Sequence, residues 1–310
     1  MVSHAAAGLA CAAIATASLA ITPAADAEER QQTIRVGVDL VNFGVVVTDK
    51  AGAPVTGLTA SDFEVVEEDT PQRVTFFASG EAALAPPLHL GFLLDTSGSM
   101  ENDMKDVRTA AIKFLNQNEA AADVTLVDFD TEVRVSRYGP DDFPRLIERI
   151  RMRKPDGYTA LYDALGVYLS GASALTGQKV LVAYTDGGDT RSSINAGEVT
   201  DLLKASDVTL YAIGYLEHQS SSVRTTARME LQRFAAVTGG QAFFPTQLKD
   251  LDEVYEQIRN EIAARYNLGY TSTNERTDGA WREVRIRLKR PDLKGARLRT
   301  RGGYFAPYKP

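Results

Sequence analysis

Cysteine and histidine are nearly absent from this chain. Its 310 residues contain one cysteine, Cys11, and three histidines, His4, His89 and His218. Because Cys11 lies in the apolar N-terminal segment, the chain beyond that segment has no disulfide and no thiolate chemistry. The two histidines beyond that segment, without a cysteine, argue against a zinc site. They also give little support to a Ser-His or Cys-His nucleophile pair. We therefore expect a binding protein rather than an enzyme.

The chain also has no net positive charge and no phosphate-binding sequence motif. The formal net charge is −7, which disfavours nucleic-acid binding by the whole molecule but leaves a local basic face open. The sequence has neither the Gly-x4-Gly-Lys-Ser/Thr phosphate loop nor the Gly-x-Ser-x-Gly nucleophile elbow. Apolar residues make up 44% and charged residues 24% of the chain, as in an ordinary globular protein with a sizeable core.

The first 27 residues differ in composition from the rest. Residues 5–21 are uncharged and rich in alanine, and Ala25-Asp26-Ala27 forms a small-x-small sequence before Glu28. This pattern predicts a secretory signal peptide cut after Ala27, and hence a secreted or periplasmic protein. The segment has no Lys or Arg, so a membrane anchor or a disordered leader stays an alternative. The apolar run is shorter than the ~20 residues that a spanning helix needs.

The sequence beyond the leader divides into three zones. Residues 28–81 have short strand patterns separated by turn signals, which is typical of a β-sandwich. An Ala/Pro-rich linker at 82–87 leads to residues 88–265, where strands and helices alternate. Residues 266–310 return to β patterning. Because so few strands rarely form an independent domain, we expect the last zone to pack with the first, so that the α/β zone is inserted into a split β domain.

The strand and helix patterns give these zones their predicted elements. In the outer zones, strands are predicted at 36–47, 62–67, 73–77, 267–272 and 281–289. In the α/β zone, strands are predicted at 88–94, 123–129, 132–137, 179–184, 208–214 and 241–244. Apolar residues at helical spacing predict helices around 104–115, 161–169 and 251–262. The result is a mostly parallel sheet with helices on both faces. Only Asp130-Thr131 precedes the strand at 132–137, so that strand is predicted to be an antiparallel edge formed by a hairpin.

Oxygen-bearing side chains follow two strands of this predicted sheet. Asp95-Thr96-Ser97-Gly98-Ser99 comes directly after the first strand, and Thr185-Asp186-Gly187 comes after the fourth. A third segment, Gly157-Tyr158-Thr159, stands just before a predicted helix. The carboxyl ends of parallel strands meet at one edge of a sheet, where ligands bind, so we expect these segments to lie together. Carboxylate and hydroxyl oxygens suit a hard cation such as Mg²⁺. The expected metal site comprises Asp95, Ser97, Ser99, Thr159 and Asp186.

The charge of such a site favours an acidic partner. Two carboxylates roughly balance a divalent ion, and neutral hydroxyls add no negative charge, so the ion keeps its attraction for an outside carboxylate. Mg²⁺ usually retains exchangeable waters, which leaves a coordination position for an Asp or Glu of a protein partner. Each motif alone is weak, because Ser99 is equally suited to capping a helix and Thr-Asp-Gly is a common turn.

Together, the three segments resemble the metal-ion-dependent adhesion site of von Willebrand factor type A (VWFA) domains. The resemblance covers about residues 88–265 and implies a Rossmann-like sheet of about six strands with a bound Mg²⁺ or Mn²⁺. The flanking zones look similar to secreted bacterial VWFA-related proteins, through the phrases at 58–69 and 279–304. The family pattern implies that the hydroxyls are direct ligands and that the two aspartates act mainly through waters.

Residues beside this site are predicted to form a rim that contacts the partner. The rim residues are Asp103, Tyr158 and Asp189. Asp103 and Asp189 also suit a role as helix caps or solvent-facing side chains.

Two other functions are compatible with the sequence. Residues 282–301 contain nine Arg or Lys and two acids, which predicts binding of an anionic polymer or an envelope surface that salt weakens and metal does not affect. Asp128-Phe129-Asp130-Thr131-Glu132 resembles the nucleophile motif of haloacid-dehalogenase-like phosphatases, but Glu132 departs from that motif at its last position. A metal-dependent hydrolase is a weaker alternative, because no obvious general base accompanies the site.

Overall fold

The structure of the protein is a computed structural model that describes residues 40–80 and 85–308. The predicted signal peptide at 1–27, the start of the first predicted strand and part of the predicted linker lie outside the described residues. Within the described part of the chain, none of the helices is both long enough and apolar enough to cross a bilayer.

Strands and helices alternate in the middle of the chain and strands dominate at both ends. The strands are β1 (Leu40–Thr48), β2 (Phe63–Glu67), β3 (Thr70–Gln72), β4 (Phe76–Ser79), β5 (Leu88–Asp95), β6 (Asp123–Phe129), β7 (Val133–Tyr138), β8 (Gln178–Thr185), β9 (Thr209–Gly214), β10 (Gln241–Phe243), β11 (Tyr266–Thr271), β12 (Trp281–Leu288), β13 (Arg297–Arg299) and β14 (Gly303–Phe305). The α-helices are α1 (Met104–Asn116), α2 (Phe143–Met152), α3 (Leu161–Ala172), α4 (Ala196–Ala205), α5 (Ser221–Val237) and α6 (Leu251–Ala263).

A six-stranded sheet forms the centre of the α/β part, in the order β10-β9-β8-β5-β6-β7. Neighbouring strands are parallel except for β6 and β7, which form an antiparallel hairpin. The predicted mostly parallel sheet with an antiparallel edge strand is therefore confirmed. From the central strand β5 the chain continues to β6 on one side and later to β8 on the other. The strand order thus reverses between β5 and β8, where ligands bind in open α/β sheets.

Helices cover both faces of this sheet. Because successive side chains of a strand point to opposite faces, Phe92 of β5 packs with α1, α2 and α6, whereas Leu93 packs with α3, α4 and α5. The predicted helices correspond to α1, α3 and α6. Helices α2, α4 and α5 were not predicted, although α2 buries Phe143, Leu146 and Ile150, whose spacing is helical.

The outer zones form two four-stranded antiparallel sheets. One has the order β13-β1-β11-β4 and the other β14-β12-β2-β3. Strand β11 from the last zone lies between β1 and β4, and β12 pairs with β2. Side chains from both sheets share one core, which includes Phe43, Val65 and Val284. The predicted fold class, an α/β sheet with a β-sandwich-like part built from N- and C-terminal strands, is confirmed.

The second hairpin of the β part differs from the prediction. Instead of a turn at 68–71 and a strand at 73–77, strand β3 begins at Thr70 and β4 at Phe76. The reason is that Glu68 and Asp69 both have positive φ, 43° and 68°, so two residues complete a tight hairpin turn. Pro71 is tolerated because β3 lies at a sheet edge, where a missing N–H costs little.

Candidate metal site at the edge of the central sheet

Two aspartates lie side by side at the carboxyl edge of the sheet. Asp95 is the last residue of β5, and Asp186 directly follows β8, the neighbouring parallel strand. Both are buried, with 0% and 1% of their surface exposed. The long apolar runs that form β5 and β8 thus deliver one carboxylate each to the point where the strand order reverses.

Hydroxyl groups join these carboxylates into one hydrogen-bonded cluster. Asp95 Oδ1 accepts the Ser97 N–H at 2.9 Å, and Asp95 Oδ2 accepts the Thr185 hydroxyl at 2.6 Å. The Ser99 hydroxyl donates to Asp186 Oδ1 at 3.0 Å and lies 3.1 Å from the Ser97 hydroxyl. The Ser99 hydroxyl therefore bonds to a carboxylate of the cluster. Four of the five residues proposed from the sequence are brought together in this way.

The fifth residue, Thr159, lies in a loop that packs against the same segment. The Gly98 N–H donates to the Gly157 carbonyl at 3.1 Å, and the Asp156 N–H donates to the Thr96 carbonyl at 2.9 Å. Thr159 itself is buried, and its N–H donates to the Thr190 hydroxyl at 3.0 Å. Within the described residues, no hydrogen bond joins Thr159 to the four clustered residues. The structure thus brings the loop of Thr159 to the cluster.

The three predicted rim residues have different surroundings. Tyr158 is 66% exposed, whereas Asp103 is buried at the start of α1 with its Oδ2 3.1 Å from His218 Nε2. Asp189 accepts the N–H of Tyr162 at 3.1 Å and both the N–H and hydroxyl of Ser192. Asp189 therefore holds the start of α3 to the following loop.

Burial and a neighbouring carboxylate raise the pKa of each aspartate of the cluster. Burial, followed by the charge of Asp186, raises the pKa of Asp95 to about 7. Burial also raises the pKa of Asp186, and the charge of Asp103 adds to this effect, while the Ser99 hydrogen bond opposes it. Two adjacent buried carboxylates are costly to ionise unless a positive charge compensates them.

The chemistry of the cluster fits a divalent cation. Asp186 Oδ2 is buried and has no hydrogen-bond partner, so one carboxylate oxygen is left for a ligand. In the part of the chain that the structure describes, no group of three His, Cys, Asp or Glu side chains is arranged to hold a metal. The side-chain oxygens beside the two carboxylates are the hydroxyls of Ser97 and Ser99, and a donor set of oxygens alone suits Mg²⁺ or Mn²⁺ better than zinc.

The roles of two threonines that support the cluster were not predicted from the sequence. The Thr185 hydroxyl fixes Asp95 and also accepts the Gly187 N–H at 3.3 Å. The Thr131 hydroxyl, at the tip of the β6–β7 hairpin, accepts the Tyr158 N–H at 2.9 Å and so holds the loop of Thr159. The position of Thr185 in the motif was a usable signal, because it ends a buried strand. No local pattern marks Thr131.

A model of the von Willebrand factor type A domain matches residues 89–257, more than half of the chain. The chain belongs to this family. The matched residues include all of the sheet beyond Leu88, five of the α-helices and most of α6. The family predicted from the three motifs is therefore confirmed. No curated protein sequence matches the chain.

Solved structures share the fold at low sequence identity. The PilB minor pilin from Streptococcus sanguinis is 15% identical, with a TM-score of 0.51, over 59% of this chain and 63% of that chain. A von Willebrand factor type A protein from Catenulispora acidiphila is 13% identical, with a TM-score of 0.48, over 86% of this chain and 74% of that one. The VWFA chain thus spans less than two thirds of the length of the minor pilin. At this identity the likeness to the pilin shows the fold alone.

Proposed function

We propose that this chain is a secreted or periplasmic binding protein that captures an acidic side chain of a protein partner through a divalent cation, Mg²⁺ or Mn²⁺. The observation that carries the proposal is the buried pair of carboxylates, in which Asp95 accepts the Ser97 N–H and Asp186 accepts the Ser99 hydroxyl, beside the Ser97 hydroxyl. The secreted location is part of the proposal and rests on the leader sequence. The proposed function includes no catalytic step.

The residues of the cluster supply two kinds of oxygen, charged carboxylate oxygens and neutral hydroxyl oxygens. Asp95 and Asp186 supply negative charge, and Ser97, Ser99 and Thr159 supply neutral hydroxyl oxygens. When bound, the cation supplies a positive charge that attracts an outside carboxylate. Because the two aspartates are held on neighbouring strands, their separation is set by the sheet and not by a flexible loop. A preorganised site of this kind loses little entropy on binding.

The rim determines what else the partner contacts. Tyr158 presents an exposed aromatic ring next to the loop that packs on the cluster, and aromatic side chains commonly dominate binding energy at interfaces. His218, more than half exposed beside Asp103, offers a hydrogen bond or a positive charge to an acidic partner. We assign Tyr158 and His218 to the partner surface, the buried Asp103 to the positioning of His218, and Asp189 to the support of the α3 loop.

The first experiment measures cation binding directly. Mg²⁺ and Mn²⁺ are titrated by calorimetry into protein stripped with a chelator, using the unaltered chain, Asp186→Ala and the surface control Asp201→Ala. We expect saturable one-site heat in the unaltered chain and the control, and none in Asp186→Ala. Saturable binding that survives in a correctly folded Asp186→Ala would contradict the assignment of the site.

The second experiment measures capture of a carboxylate. A displayed peptide library is selected on the protein in Mg²⁺, and the selected peptides are remade with Asn or Gln in place of Asp or Glu. We expect binding that is lost with chelator and lost in the amide versions. Peptides that bind equally well with chelator present would show that the partner does not reach the cation.

A further inference from the structure

A basic cleft lies between the end of α5 and the strands β12 and β13, away from the aspartate cluster. It has a volume of about 530 Å³ and is lined by residues of 236–240, 284–287 and 298–302. Its charged lining residues are Arg285, Arg287, Arg299 and Arg301. No acidic residue is among the described residues that line it, although the chain as a whole carries a net charge of −7. The cleft is therefore a positively charged region on a protein whose net charge is negative.

Carboxylates neutralise only part of this charge. Arg285 lies near exposed Asp69 and Glu283, and Arg299 pairs with Glu261. In the described residues no carboxylate oxygen lies within 4.0 Å of the guanidinium of Arg287 or Arg301. Glu64 stands opposite Arg287 in the pairing of β12 with β2, and Asp207 acts on Arg301 from a distance, so these two charges are offset by nearby acids but are not held in direct ion pairs.

Arg301 is fixed in place by neutral groups. Its Nη2 donates to the Asn42 carbonyl at 2.8 Å and its Nη1 to the Ser206 carbonyl at 3.2 Å. The guanidinium also stacks on the Phe43 ring, 4.7 Å from the ring centroid. These contacts orient the side chain without cancelling its charge, so the group is ready to bind an anion at little cost in side-chain entropy.

A further arginine adds positive charge behind the cleft. Arg265 is only 5% exposed, and its Nε and Nη1 have no hydrogen-bond partner among the described residues. Burial lowers the pKa of Arg265; Tyr211 and Asp207 oppose this effect, and the charges of Arg301 and Arg299 add to it. Among the described residues, the fully buried Glu261 forms an ion pair with Arg299 only, and it also accepts a hydrogen bond from the Gln257 amide. An excess of buried positive charge is unfavourable unless an anion balances it.

The opposite wall of the cleft is neutral and close. The last carbonyls of α5 are paired, because the Gly239 N–H donates to Ala236 and the Gly240 N–H to Ala235. Gly239 has φ +76°, and a side chain there would meet the Thr300 carbonyl carbon at 2.4 Å. The partial negative charge at the C-terminus of α5 is thus partly satisfied, and the glycine lets the backbone after α5 approach Thr300, which directly follows β13.

We propose that this cleft binds a tetrahedral oxyanion, a phosphate or sulfate group, free or carried on an anionic polymer. Guanidinium groups match the oxygens of phosphate and sulfate with paired hydrogen bonds. The volume of the cleft exceeds that of a single ion, which leaves room for the sugar or polyol that bears the group. This function is independent of the cation site and does not require a divalent ion.

Ion binding and thermal stability test the proposal. Sodium sulfate and sodium phosphate are compared with sodium chloride at equal ionic strength, by calorimetry and thermal unfolding. We expect saturable binding and a rise in melting temperature beyond that in chloride. Arg287→Gln should weaken binding about tenfold, since one charge-assisted hydrogen bond contributes roughly that factor. Arg145→Gln, which removes an exposed arginine far from the cleft lining, should bind like the unaltered chain.

A second variant and a polymer complete the test. Arg301→Lys keeps the charge and loses the planar fork, so binding should weaken although the protein remains folded. If dextran sulfate binds, and Arg287→Gln weakens that binding as much as it weakens binding of the free ion, the ligand is a group carried on a polymer. Uncharged dextran serves as the blank. If free phosphate binds and dextran sulfate does not, the ligand is the free ion. Sulfate and phosphate effects equal to those of chloride, or unchanged binding in both arginine variants, would overturn the proposal.

Discussion

Replacing Asp95 by Asn should stabilise the metal-free protein while removing its response to a cation. The carboxyl is fully buried beside Asp186, and burial followed by the charge of that neighbour raises its pKa from 3.8 to about 7. A carboxyl with a raised pKa in the folded state binds its proton more tightly there than in the unfolded chain. Its contribution to stability is therefore greatest below about pH 4 and is lost as the pH rises to about 7.

The size of the effect follows from the shift. At ~1.36 kcal/mol per pKa unit, ionised Asp95 costs at most about 4 kcal/mol above pH 7. Asn keeps a carbonyl oxygen for the Ser97 N–H, and the Thr185 hydroxyl can accept from the amide in place of donating. We therefore expect Asp95→Asn to gain about 2–4 kcal/mol at pH 8 in chelator, which raises the melting temperature by about 3–6 °C in a protein of this size.

Thermal unfolding followed by circular dichroism measures this effect at pH 5 and pH 8, in chelator and in excess Mg²⁺. The advantage of the variant should shrink at pH 5, where Asp95 is largely protonated, and should also shrink in Mg²⁺, which stabilises only the unaltered chain. Asp201→Asn, an exposed aspartate of α4, serves as the control and should change little. A lower melting temperature for Asp95→Asn in chelator at pH 8 would refute the repulsion argument, and an unchanged Mg²⁺ response would refute the site.

Two further substitutions test the loops around the cluster. Ser99→Ala removes the hydroxyl that bonds Asp186 Oδ1; Mn²⁺ affinity measured by calorimetry should fall at least about tenfold, and the metal-free protein should lose about 1–3 kcal/mol of stability because a buried carboxylate oxygen is left without its donor. Gly157→Ala places a Cβ 2.3 Å from the Thr131 hydroxyl at φ +73°; it should cost about 1–3 kcal/mol in urea unfolding and weaken Mn²⁺ binding. Gly139→Ala, where no heavy atom lies within 4 Å of the new Cβ, should affect neither, and equal costs at both glycines would contradict the steric argument.

The part of the site that lies on strands could be predicted from the sequence. Asp95 directly follows a mostly apolar run and Asp186 lies one residue beyond another, and such runs indicate buried parallel strands whose ends meet. Thr131 could not be predicted in the same way, because its role depends on the order of the strands. Only when β6 lies beside β5 does the tip of the β6–β7 hairpin reach the Tyr158 N–H. Local patterns fix which residues end a strand, whereas contacts between loops depend on the tertiary arrangement.

The same distinction applies to the basic cleft. The alternation of arginine with apolar residues along β12 marks a strand with one solvated face, and this pattern alone fits a surface that merely balances the acidic remainder. A ligand site differs from such a surface in whether its arginines form ion pairs within the protein. Arg299 forms an ion pair with Glu261 on α6, whereas Arg301 forms none with the described residues. Both facts follow from the packing of the β part on the α/β part.

The two proposed sites respond to opposite conditions, so one partner assay can distinguish them. Binding through the aspartate cluster requires a divalent cation and a carboxylate, and chelator should abolish it while moderate sulfate leaves it intact. Binding through the cleft requires arginine contacts with an oxyanion, and sulfate should compete with it while chelator has no effect. If one natural partner is sensitive to both treatments, it must engage both surfaces. The joint affinity would then exceed either alone by the effective concentration that the fixed spacing of the two sites provides.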